Sequence, residues 1–114
     1  MTESRPPDKV MLRSEVDGAD RRYLWAYVDS AGHLHIDGQD LGPATAMVSD
    51  DGEYEWFHTF AATNVPRVVE LLGGTTGDDV LDVLQHGWTG ARSYDLEALL
   101  RDSDIPSTLD VWSG

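Results

Sequence analysis

The sequence predicts an α+β domain: an antiparallel sheet of about four strands, followed by two or three helices and a short C-terminal strand. Three observations carry that expectation. Residues 10–60 alternate with the period-two pattern of strands, whereas residues 64–102 repeat apolar side chains at helical spacing. The strands come as one run and the helices as another, an order that excludes a parallel βαβ arrangement. Short turn signals, Asp17-Gly18 and Ser30-Ala31-Gly32, join the first strands as hairpins.

Taken in chain order, residues 1–8 contain Pro6-Pro7 and read as a disordered leader ahead of a single domain over residues 9–114. Val10 to Val16 is the first strand. Arg22 to Asp29 is the strongest, because Tyr23, Trp25 and Tyr27 alternate with Leu24, Ala26 and Val28. Two apolar faces suggest an interior strand covered at least partly on each side. His33 to Asp37 forms the third strand, and the turn-rich residues 38–52 read as a long loop of the kind that is often functional. Glu53 to Phe60 is the fourth, with Tyr54, Trp56 and Phe60 on one face and Glu53, Glu55 and Thr59 on the other.

Beyond residue 61 the first helix begins near Asn64, carries Pro66 in its opening turn and ends at Gly73-Gly74. Asp78 and Asp79 open a second that stops near Gly87, and a third spans Ser93 to Asp102. The tail from Ile105 to Trp112 reads as an added edge strand.

Composition narrows the function classes. The chain has 114 residues and no cysteine, so disulfides, thiolate metal sites and a cysteine nucleophile are excluded. No segment has the length and apolarity of a membrane span, and the N-terminus lacks a signal-peptide core, which makes the cytoplasm the expected location. The formal net charge is −13. Such a chain repels nucleic acid and anionic membranes, so an electrostatically chosen partner is a basic protein. The acidity is uneven: residues 29–60 hold seven acids and no Lys or Arg.

Several constellations invite chemistry. His33-x-His35-x-Asp37 places three metal-ligand types at period-two spacing on one strand face. The opposite parity sends Leu34 and Ile36 to the core and leaves these three as ordinary polar residues beside Glu53 and Glu55. Gly73 to Gly77 precedes a helix as a phosphate cradle does, but Asp78 and Asp79 would repel an anion there. There is no Gly-x-Ser-x-Gly elbow, and no catalytic residue or cofactor is assigned. The aromatic residues Tyr23, Trp25 and Tyr27 fill the core if the helices lie on their side. If the helices lie on the other side, they form a protein-binding surface.

The pattern Ile36-x-Gly38-Gln39-Asp40-Leu41-Gly42, Glu53-Tyr54-Glu55-Trp56, Leu71-Leu72-Gly73-Gly74 and Ile105-Pro106 with Trp112 resembles a group of small, acidic, uncharacterised bacterial proteins. In build the chain is also similar to immunity proteins that neutralise secreted toxins. Neither resemblance implies catalytic residues. The expectation is therefore an acidic interaction domain, immunity-like, that binds a basic partner through Trp25, Asp37, Asp40, Asp50, Asp51, Glu53 and Glu55. The alternatives are a metal- or small-ligand-binding domain built on His33, His35, Asp37 and the 38–52 loop, and an acidic mimic of nucleic acid.

Overall fold

The computed structural model describes residues 9–42 and 53–113. Strand β1 (Lys9–Asp17) turns into β2 (Asp20–Val28) through a two-residue connection. Gly18 there has φ of +63°, the left-handed conformation that a twist-matched hairpin needs at its first central residue. β3 (Leu34–Leu41) and β4 (Glu53–Phe60) follow, each antiparallel to the strand before it. A 3-10 turn, Ala62–Asn64, leads into α1 (Val65–Leu71), α2 (Val80–Gly87) and α3 (Arg92–Asp102). β5 (Thr108–Ser113) then returns to pair antiparallel with β4. The sheet order is β1-β2-β3-β4-β5, the α+β arrangement expected.

The third strand is longer than its turn-forming composition suggested. Gly38, Gln39, Asp40 and Leu41 are not loop but paired strand, opposite Leu24 to Arg21 on one side and Trp56 to Glu53 on the other. Glycine is admitted in this interior strand because Trp56 occupies the space where its Cβ would be. Of the remaining expected loop, residues 43–52, with Asp50 and Asp51, lie outside the described residues.

The three helices among the described residues supply the core from one side. Leu24, Ala26, Leu34, Ile36 and Phe60 on the sheet meet Val68 and Val69 of α1, Val80, Leu81 and Leu84 of α2, and Leu96 and Leu100 of α3. The Asp79 carboxylate caps α2 by accepting from the Leu81 amide at 2.8 Å, and Asp82 sits in its first turn. Asp78 instead closes the preceding turn onto Thr75. These three acids therefore have local structural explanations.

One irregularity decides what the helix side contains. Leu12 is an extra residue in β1, since Met11 pairs with Trp25 while Arg13 pairs with Leu24. The bulge inverts the parity of the strand, so Leu12 and Arg13 both enter the interior. Its displaced Leu12 carbonyl accepts from the Gly90 amide at 2.9 Å and ties β1 to the start of α3.

β2 lies inside the sheet, and the described helices cover its Leu24/Ala26 face and not the other. Tyr23, Trp25 and Tyr27 project from the other side and remain part-exposed. No helix among the described residues covers them, and they shelter one another and their cross-strand neighbours, as large aromatic side chains can.

Candidate functional site

The register sorts the predicted residues onto two faces. Met11, Trp25, Asp37, Phe57 and Asp110 form one row across the face without helices. The adjoining row contains Tyr23, Gln39, Glu55 and Trp112, and Glu53 stands beyond it, opposite Leu41. Trp25, Asp37, Glu53 and Glu55 are thus brought onto one surface. Asp40 is not: it differs in parity from Asp37 and points to the helix side, which corrects its expected place in a common binding patch.

Asp37 sits at the middle of the bare face between Trp25 and Phe57 and is only 6% exposed. Its Oδ1 is buried and has no hydrogen-bond partner among the described residues. Burial between these rings raises its carboxyl above the ordinary range, against smaller opposing effects from His35 and Lys9. Glu55 is also raised, by desolvation first and then by its contact with Glu53 and the charge of Asp37. Gln39 donates to Glu53 Oε2 at 3.2 Å. The Lys9 ammonium lies 4.8 Å from the centre of the Trp25 ring. Trp112 is 48% exposed at the β5 edge.

The histidines and Asp37 do not converge as a ligand set. His33 accepts from the Ala62 amide through Nδ1 at 2.9 Å, binding the sheet to the 3-10 turn. His35 Nε2 meets Asp29 Oδ2 at 2.7 Å, and its ring stacks on Tyr27 with centroids 4.5 Å apart. Asp29 also accepts from the Ala31 and His33 amides, organising the β2–β3 turn, so its carboxylate has a structural task. The His35 hydrogen bond leads the effects that lower its pKa. Among the described residues no three His, Cys, Asp or Glu side chains assemble as a metal site.

The helix side holds a second candidate that sequence reasoning missed. A cleft of about 330 Å³ opens between α3 and the β3–β5 end of the sheet. Arg13 Nε donates to Ser93 Oγ at 2.9 Å, and its Nη2 donates to Glu97 Oε1 at 2.7 Å. Glu97 Oε2 also accepts from the Trp56 indole at 3.0 Å. The Arg13 guanidinium lies over the Tyr94 ring at 3.6 Å. Asp40 lines the same cleft, with Oδ1 buried and without a partner among the described residues. Desolvation raises its carboxyl, opposed by Arg22 and Arg13. His58, another lining residue, is pushed down by burial and is therefore favoured as neutral imidazole. A signal did exist for Asp40, which shares its parity with Leu34 and Ile36; no sequence signal marks the bulge that aims Arg13 inward.

No helix among the described residues is long and apolar enough to cross a membrane. Comparison with family models, with curated proteins and with solved structures finds no match to this chain.

Proposed function

We propose that this chain is a non-enzymatic interaction protein whose bare sheet face receives a basic protein partner, in the manner of an immunity-type inhibitor. The observation that carries the reading is Asp37, buried at the centre of the sheet face that no described helix covers, among Trp25, Phe57 and Tyr27, with one oxygen unpartnered among the described residues. A part-exposed aromatic cluster around a desolvated charge has the composition of an interface hot spot.

The sign of the partner follows from the carboxylates. Burial raises the pKa of Asp37, and burial with the neighbouring Glu53 and Asp37 charges raises that of Glu55, so a positive charge brought to this face is favoured. Lys or Arg side chains supply that charge, and the −13 of the whole chain steers them to it. The same face offers aromatic rings on which guanidinium groups stack. The acids among the described residues do not line up as a phosphate-like row, since Asp40 faces the helices and Asp29 is engaged in a turn. That division favours a protein partner over mimicry of nucleic acid.

Affinity capture from an extract of the source cells, at low and at high salt, tests the proposal. The captured protein is identified and the pair rebuilt from purified components. A basic partner whose binding weakens with salt, and weakens further with Trp25→Ala and Glu55→Lys, is the expected result. Undiminished binding by both variants, or no partner at either salt, overturns it.

A further inference from the structure

The cleft beside α3 has the features of a small-molecule site, and it lies on the opposite side of the sheet from the surface proposed to bind protein. Its volume of about 330 Å³ is enough for a compact organic ligand. Its walls are mixed. Ile36 and Leu100 form an apolar floor and side, Trp56 an aromatic one, and Leu109 and Val111 lie at the edge, 52% and 53% exposed. Apolar side chains left open beside a cavity are available to the body of a ligand.

The polar groups determine what kind of ligand fits. Glu97 is satisfied by Arg13 and by the Trp56 indole. Glu15, which approaches the same end, accepts from the Tyr94 hydroxyl. Arg13 is committed to Ser93 and Glu97 and has a side chain only 2% exposed. His58 Nε2 is engaged with Ser107 Oγ at 2.8 Å. Asp40 Oδ1 is the exception, a buried carboxylate oxygen with no donor among the described residues. Arg22 stands opposite Asp40 in the register, and Arg101 is exposed at the cleft, but neither donates to that oxygen. The vacancy asks for a hydrogen-bond donor, and a charged donor satisfies it best.

We infer that this cleft binds a small organic amine, with its ammonium paired with the Asp40 carboxylate and its apolar body lying against Trp56, Leu109 and Val111. An organic anion of the same shape would place its charge against the Asp40 carboxylate, whose Oδ1 has no donor among the described residues. The strongly acidic chain adds to that discrimination by enriching cations at its surface.

Tryptamine and phenethylamine are suitable probes, with indole-3-acetate and phenylacetate as anionic counterparts. Titration followed by amide NMR should show saturable shifts for the two amines at millimolar concentration, centred on Asp40, Trp56 and Leu109 to Val111. The two acids should give none. Asp40→Asn should weaken amine binding about tenfold or more, the weight of one charge-assisted hydrogen bond. Val111→Trp, which leaves Asp40 in place, should block the cleft sterically, and Trp25→Ala on the opposite face should leave the affinity unchanged. Equal binding of amines and acids, full affinity in Asp40→Asn, shifts confined to the Trp25 face, or no saturation by either amine overturns the inference. Because the cleft and the bare face carry separate variants, either assignment can fail without the other.

Discussion

The indole of Trp56 lies over Gly38, its register partner on β3, so closely that a Cβ on the glycine would stand 2.1 Å from the ring. This contact joins two parts of the pattern noted in the sequence, the Gly-Gln-Asp-Leu-Gly element and the Glu-Tyr-Glu-Trp element. It also positions the Trp56 Nε1–H to reach Glu97 of α3. Gly38→Ala forces the ring out of place, and destabilisation of about 1–3 kcal/mol is expected from overpacking of this kind. Urea denaturation measures the loss. Adding Trp56→Leu should recover part of it, which distinguishes the ring contact from a loss of backbone freedom.

Arg13 provides a second test, because its charge is buried. Arg13→Ala leaves Glu97 with the indole as its one donor among the described residues and should destabilise by about 3–5 kcal/mol, as removal of one member of a buried pair does. Arg13→Met with Glu97→Gln should be milder than Arg13→Ala, since the glutamine carbonyl can still accept from Trp56. A single variant as stable as the double would show that the pair is not electrostatically coupled.

Much of this architecture was legible in the sequence because it rests on local periodicity. Leu24/Ala26 and Leu34/Ile36 alternate cleanly, and their face is the one the helices cover. Asp79 marked the start of α2 through capping chemistry that is local to the chain. The end of β3 was not legible: Gly38 and Gly42 look like turn residues, and only the long-range partner Trp56 explains a glycine inside the strand. The site was legible in halves. Parity separates Asp37 from Asp40 only once residues 38–41 are read as strand rather than loop, whereas the Leu12 bulge, which brings Arg13 to Ser93 and Glu97, depends on contacts about eighty residues away in sequence. Nor does alternation alone say which face of β2 the helices choose, because both faces are apolar.

The β2–β3 turn should impose an acid-dependent term on stability. Asp29 has a lowered folded-state pKa, chiefly through its hydrogen bond with His35. Its contribution is therefore present above the unfolded carboxyl value and is lost as pH falls through the folded value. Asp29→Asn keeps an acceptor for the Ala31 and His33 amides but removes the charge opposite His35. Thermal melts should show this variant less stable than the parent near neutral pH, with the gap closing in acid. A gap that stays constant with pH would assign the effect to turn geometry instead.

Asp37 runs in the opposite direction, and the contrast separates stability from function. Its folded-state pKa is raised by burial, so the folded chain holds the proton more tightly than the unfolded chain. Stability consequently falls as pH rises from the unfolded carboxyl value through the folded one, and the full penalty applies above it. Asp37→Asn removes that charge and should raise the melting temperature at neutral pH, with the advantage shrinking in acid. On the proposed reading, the same substitution should weaken the basic partner, because a desolvated carboxylate facing an open surface contributes most when a cation covers it. Retaining a residue that disfavours folding is then understandable as the requirement of the interface. A melting temperature that rises while binding stays unchanged would remove Asp37 from the interface, and a melting temperature that falls would show that the carboxylate holds the sheet together after all.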